Sequence, residues 1–172
     1  IKMNAGTSNE SFSKIVTSIK IYDVDRSETK TISADKIKFG YREMSINEIN
    51  NFVILSATFR LEKSEKKEIM EKIEKYRKKR RMQPREYPNA GSIFKNPQGL
   101  FCGELIEKVG LKGYTIGGAS VSEKHANFIV NHNNAKACDV IALIEHIKIK
   151  VKKELKIDLA TEVQIVGRDE IN

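Results

Sequence analysis

The stretch Phe52-Val53-Ile54-Leu55-Ser56-Ala57-Thr58-Phe59-Arg60-Leu61-Glu62-Lys63-Ser64 decides how this chain is read. Up to Leu61 the apolar residues alternate, with Val53, Leu55, Ala57, Phe59 and Leu61 on one side, which predicts a strand with one buried face. After Ser64 the period changes. Ile69, Ile73 and Tyr76 recur at i, i+4 and i+7 among charged residues, predicting an amphipathic helix over about 65–80. Ser64 is placed to cap it, and Glu65 and Glu68 suit its positive N-terminal pole. Pro84 and Pro88 end it. Strand patterns precede this switch and helix patterns dominate after it, so Ser64 marks a domain boundary.

Upstream, residues 14–25 carry Ile15, Ile19 and Ile21 and run into Asp23-Val24-Asp25-Arg26-Ser27, a strand entering a turn, with a return strand at Thr29–Ser33. Downstream, a short helix over about 102–109 stops at Gly110, a C′ glycine. Strands are predicted near 116–121 and 127–131. A helix over about 137–155 has Val140, Ile144, Ile147, Val151 and Leu155 on one face, and Leu159–Val166 closes as a strand. This order predicts an α+β fold with a mostly antiparallel sheet and packed helices.

With 172 residues, 40% of them hydrophobic and 31% charged, the chain can bury a core and is not a disordered one. No apolar run approaches the roughly 20 residues that span a bilayer. The segment Ile1–Gly6 has no signal-peptide pattern, and position 1 is not Met, so the chain is expected to begin inside something longer and to be cytoplasmic. Cys102 and Cys138 read as reduced thiols, and His125, His132 and His146 lack metal-ligand spacing, so no metal is expected. His146 reads as structural; His125 reads as either structural or functional. The net charge is +8, and Lys75, Arg77, Lys78, Lys79, Arg80 and Arg81 account for six of it. Such a cluster is either a solvated helix end or a site for a polyanion.

The segment Pro88-Asn89-Ala90-Gly91-Ser92-Ile93-Phe94-Lys95-Asn96-Pro97 carries the chemistry. Gly91 permits a tight turn, Ile93 and Phe94 anchor it, and Ser92, Lys95 and Asn96 then stand on a rigid rim suited to an anionic or polar ligand. The other reading is a Gly-Ser turn with an incidental Lys. No nucleophile elbow and no dinucleotide fingerprint is present.

Tyr41-Arg42, the Pro88–Pro97 run, Gly110-Leu111-Lys112-Gly113, the block Ser122–Asn131 and Thr161-Glu162-Val163 occur in one order. Together they resemble the UDP-N-acetylenolpyruvoylglucosamine reductase (UDP-N-acetylmuramate dehydrogenase) family, flavoenzymes of bacterial peptidoglycan precursor synthesis. Met3-Asn4-Ala5-Gly6 resembles the second lobe of the family's FAD-binding domain, and the short path from Arg42 to Ser92 resembles its shorter subtype. The resemblance implies that residues 1–62 are part of the FAD-binding domain, with the tail 163–172 returning to it, and that 63–162 form the substrate-binding domain. It implies FAD and NADPH as cofactors and UDP-N-acetylenolpyruvoylglucosamine as substrate, with neither nucleic acid nor membrane as partner. Ser92 would protonate substrate C2, and Arg42 and Glu162 would position or stabilise the enolate-like intermediate. Lys95, Asn96 and Arg80 would contact phosphate or sugar, and Asn4, Ala5 and Gly6 would face the cofactor.

One departure matters. The family begins with a further FAD-binding lobe carrying a Gly-rich phosphate loop; these 172 residues do not include it, and it is expected in the parent protein. A reductase fragment keeping its catalytic side chains, an inactive folded remnant and a small basic nucleic-acid-binding module are therefore all compatible with the residues. The low aromatic content, 7% with no Trp, disfavours the last.

Overall fold

The computed structural model describes residues 1–7 and 10–167. The chain divides into two compact units, Ile1–Glu65 and Lys66–Asn172. Its strands pair antiparallel and its longer helices lie in the second unit, an α+β fold.

The first unit opens with the ribbon β1 (Gly6–Thr7) and β2 (Glu10–Ser11). A three-stranded sheet follows, in which β3 (Val16–Asp23) lies between β4 (Glu28–Ser33) and β7 (Phe52–Phe59). A hairpin of β5 (Ile37–Gly40) and β6 (Glu43–Ile46) completes the unit. Val16, Ile19 and Ile21 of β3 pack with Ile37, Met44, Ile46 and Ile49, so β3 is the spine of this core.

The face predicted as buried on β7 is corrected by the structure. Ile54 pairs with Ile21 and Ser56 with Lys20, so Leu55 is an extra residue with no partner on β3. Across this bulge the side-chain alternation resets, and Phe52, Ile54 and Ala57 face the core together. Val53 and Leu55 are left 55% and 52% exposed, and Leu61 is 74% exposed.

Asp23, the last residue of β3, is 1% exposed. Its carboxylate accepts the Arg26 backbone N–H at 3.2 Å and the Arg26 guanidinium at 3.2 Å, with the Lys30 ammonium 3.7 Å away. Burial raises its pKa, but these hydrogen bonds and charges outweigh burial and hold it below the ordinary carboxylate value of 3.8. A carboxylate depressed in the folded state stabilises above its unfolded pKa and loses that contribution as pH falls. Urea unfolding over a pH series is expected to show stability falling below about pH 3.8, and Asp23→Asn is expected to flatten that fall.

The second unit starts with α1 (Lys66–Arg81), none of whose residues is buried. Ile69 and Ile73 of its apolar stripe are exposed. A four-stranded sheet follows in the order β8 (Asn89–Ser92), β11 (Phe128–Asn131), β10 (Ala119–Val121), β9 (Thr115–Ile116). The expected strand over 116–121 is thus two short strands joined at Gly117-Gly118. A side chain at Gly117 would meet the Asp139 carboxylate at 2.4 Å, and one at Gly118 the Asn133 carbonyl at 2.1 Å. The pair is small because α3 begins there.

The helices α2 (Cys102–Lys108) and α3 (Ala137–Leu155) supply Cys102, Leu105, Ile106, Leu143, Ile144, Ile147 and Val151 to the core, against Ile93, Phe94, Val121 and Ile129 of the strand layer. Asp139 accepts the Lys136 and Gly118 N–H groups at 2.9 and 3.2 Å, closing the first turn of α3 and tying it to the sheet. The strand expected over Leu159–Val166 is reduced to a bridge between Thr161 and Phe94. Among the described residues its backbone pairs with the short run that follows β8. Of the tail 163–172, residues 163–167 belong to the second unit, and 168–172 lie outside the described residues.

Candidate functional site

Ser92 ends β8 and pairs with Phe128 of β11, whereas Asn89 pairs with Val130. β8 therefore holds one residue more than β11 over this span, a bulge taken up where Gly91 adopts φ +81°. That left-handed conformation suits glycine, and no atom stands within 4 Å of where its Cβ would be. The bulge turns the chain so that Ser92 lines a cleft of about 370 Å³.

The chain beyond Ser92 is gripped from both sides. Asn127, 3% exposed, accepts the Phe94 N–H at its Oδ1 and donates from its Nδ2 to the Phe94 carbonyl, both at 2.9 Å. The Asn127 backbone carbonyl accepts the Ile93 N–H at 2.9 Å. On the opposite flank Lys95 N–H donates to Ala160 and Glu162 N–H donates to Ile93, at 2.9 and 2.7 Å. Ile93 and Phe94, each 1% exposed, drive the run into the core. Ser92 is thereby half-buried at the end of a segment with little freedom to move.

The cleft is also lined by Asn96, Phe101, Gly103, Glu104, Glu107, Lys124, His125 and Asn127. The structure thus brings Ser92 and Asn96 to one cleft. The Asn96 Oδ1 accepts the Cys102 N–H at 2.9 Å, so this side chain also satisfies the start of α2. Glu162 is half-buried and bonded to the residue after Ser92 through its backbone. The half-buried Lys95 and the exposed Arg80, near the end of α1, are not among the cleft residues.

In the first unit, Arg42 is half-buried in the turn between β5 and β6, with φ +59°, uncommon for a residue with a side chain. Its guanidinium lies 5.1 Å from the centre of the Tyr41 ring. Asn4 fixes this turn by donating to the Gly40 carbonyl at 3.0 Å while accepting the Ser13 N–H at 3.0 Å. The Ala5 carbonyl accepts the Phe12 N–H at 3.1 Å, and a side chain at Gly6 would collide with the Glu10 carbonyl at 2.0 Å. Asn4, Ala5 and Gly6 therefore serve the local fold of that unit.

Sequence reasoning left His125 open and did not single out Asn127, Phe101 or Glu104. Asn127 and His125 do lie within the Ser122–Asn131 block, but a buried amide that grips a distant backbone has no local spacing that announces it. His125 is held below the ordinary imidazole range, first by burial and then by the Lys112 charge.

Cys102, fully buried, donates its thiol hydrogen to the Lys95 carbonyl at 3.0 Å. Burial, with the Glu162 carboxylate adding to it, pushes this thiol up to about 11 from 9.0. Iodoacetamide at about pH 9, where an ordinary thiol is half ionised, is expected to modify only the exposed Cys138 in native protein and both cysteines in denaturant. Mass spectrometry reads the count, and equal labelling of both in native protein would contradict this environment.

Residues 83–166 match the model of the family described as UDP-N-acetylenolpyruvoylglucosamine reductase, C-terminal domain. The chain is 44% identical over 170 residues to the UDP-N-acetylenolpyruvoylglucosamine reductase of Clostridium kluyveri and 42% identical over 168 residues to that of Clostridium beijerinckii. These matches cover 98% and 97% of the chain but 55% of each relative, so the chain spans about half their length. The crystal structure of UDP-N-acetylenolpyruvylglucosamine reductase from Thermus caldophilus matches with a TM-score of 0.82 at 31% identity, over 95% of this chain and 57% of that one. Residues 83–166 accordingly belong to the C-terminal domain family of UDP-N-acetylenolpyruvoylglucosamine reductases, and the chain as a whole is a partial-length homologue of those enzymes.

Proposed function

We propose that this chain is the substrate-reducing portion of an FAD- and NADPH-dependent oxidoreductase that converts UDP-N-acetylenolpyruvoylglucosamine to UDP-N-acetylmuramate in the bacterial cytoplasm. The observation that carries the reading is Ser92. Its hydroxyl belongs to a clamped, half-buried residue on a cleft wall, next to the open face of Gly91. The family match supplies the chemistry for which such a hydroxyl is suited. In this reading residues 1–62 contribute to the FAD-binding domain and residues 63–162 bind substrate.

A bound flavin would supply, from NADPH, the hydride that C3 of the enolpyruvyl group must gain. Ser92 supplies the proton that C2 must gain. An alcohol is a weak acid in water, so its contribution depends on being held at a fixed place, which the Asn127 clamp favours. Arg42 supplies a guanidinium to offset negative charge on the carboxylate-conjugated carbon, where a preoriented cation is worth more than a mobile one. Glu162 positions the reacting group, while Lys95, Asn96 and Arg80 hold phosphate and sugar.

The described residues fit the reacting end of a flavin better than its diphosphate. At Gly91 the space a Cβ would fill is open, next to Ser92. The first unit contains, among its described residues, no α-helix whose N-terminal N–H groups could receive phosphates. Asn4 is then part of the cofactor side by holding the Arg42 turn, and Ala5 and Gly6 by forming the segment beside it. The 172-residue chain by itself is expected to retain FAD weakly or not at all. Gel filtration after mixing with FAD checks this, and stoichiometric flavin travelling with the protein would contradict it.

In the complete, flavin-loaded reductase, Ser92→Ala is expected to leave flavin reduction by NADPH near the parent rate. Reoxidation by the enolpyruvyl substrate is expected to slow by roughly a hundredfold to ten-thousandfold, the usual cost of removing a positioned acid. Ser92→Cys is expected to retain more activity than Ser92→Ala, because a thiol still donates. Stopped-flow absorbance of the flavin follows the two half-reactions separately. Reoxidation of the Ala variant at the parent rate would make Ser92 a turn residue only.

A further inference from the structure

His125 lines the same cleft as Ser92, and the chemistry above makes no use of it. It sits in a turn held at several points. The Ser122 Oγ accepts the Lys124 and His125 N–H groups at 3.2 and 3.4 Å, Ser122 N–H donates to Phe128, and Phe128 N–H donates back to His125 at 3.0 Å. The imidazole lies edge-on to Phe128, with ring centres 4.9 Å apart. On α2, Gly103 makes room for it, since a Cβ there would stand 3.1 Å from the imidazole Cε1.

The ring's tautomer follows from its hydrogen bond. Nδ1 accepts the Asn127 N–H at 3.2 Å, so in the neutral ring the hydrogen resides on Nε2. Among the described residues Nε2 has no hydrogen-bond partner, and no buried side-chain nitrogen or oxygen lacks one. Nε2 is therefore open to solvent, a fixed donor on a residue that lines the cleft.

The charges around it indicate what it meets. Lys124 is paired with Glu86, and Glu107 with Lys112 at 2.9 Å. Glu104 then gives this wall a negative character, unsuited to a diphosphate and suited to hydroxyl donors. Phe101, 63% exposed, adds an apolar surface. A neutral N–H donor, a carboxylate acceptor and an exposed aromatic ring form a set that recognises an uncharged sugar.

We propose that His125 is a substrate-binding residue whose Nε2–H donates to an oxygen of the substrate's N-acetylglucosamine ring, an assignment that rests on the UDP-sugar reading of the site. Asparagine can stand in for Nδ1 and glutamine for Nε2. His125→Asn keeps an acceptor for the Asn127 N–H but loses the outer donor, and His125→Gln does the reverse.

Calorimetry with UDP-N-acetylglucosamine and with UDP as probes tests this. His125→Asn is expected to weaken UDP-N-acetylglucosamine binding about tenfold, the scale of one hydrogen bond, and to leave UDP binding unchanged. His125→Gln is expected to hold closer to the parent affinity. In unsubstituted protein the nitrogen NMR signal of the His125 Nε2–H is expected to move on adding UDP-N-acetylglucosamine and not on adding UDP, a readout that needs no variant. Parent affinity in His125→Asn, or equal weakening toward both probes, would overturn the assignment alone. A parent protein that binds neither probe would overturn the UDP-sugar reading and this assignment with it.

Discussion

The second unit depends on the side chain of Asn127. One amide, almost entirely buried, satisfies both the N–H and the carbonyl of Phe94, thirty-three residues away in sequence. An amide of this kind is worth only about 1 kcal/mol per hydrogen bond while it is made. Left without partners in the same place, each group costs about 1–3 kcal/mol, so the arrangement is far easier to keep than to change. Its effect is positional. It holds the chain after Ser92 flat against the β11 side while 160–162 closes the other flank.

Several features of the site follow from that grip. Because β8 is pinned at Phe94 and paired at Asn89, its surplus residue is absorbed between them, at the Gly91 bulge. Ser92 is therefore presented at a cleft by backbone constraints and not by its own contacts. The same turn that supplies Asn127 supplies His125, two residues earlier, and the Asn127 N–H selects the tautomer of that ring. Glu162 arrives by backbone pairing to Ile93, and its charge reaches the buried thiol of Cys102 on α2. One short segment thus shares its geometry with residues from three separate stretches of chain.

The first unit solves a similar problem differently. Among the described residues it has no buried amide at the Arg42 turn. Instead Asn4, at the start of the chain, bridges Gly40 and Ser13 and so ties the hairpin tip that carries Arg42 to the N-terminal segment. Arg42 holds a left-handed backbone conformation there, a geometry that persists in a side-chain-bearing residue only where its surroundings enforce it.

By itself the sequence determined the α+β class and the approximate limits of α1, α2 and α3, because hydrophobic period and helix-end residues are local properties. It also determined the resemblance carried by the Pro88–Pro97 run and the Ser122–Asn131 block, since motif order needs no coordinates. Tertiary structure alone decided which face of each element is covered. On β7 a bulge at Leu55 shifted the alternation that the sequence shows as continuous, and on α1 the stripe of Ile69 and Ile73 remained uncovered. Periodicity states that a segment has an apolar side, but a neighbouring surface must exist before that side is buried. The partners of Asn127 and the meeting of Ser92 with Glu104 and His125 in one cleft are likewise absent from any local pattern. They are contacts between groups far apart in the chain, and they come into being only when the chain closes on itself.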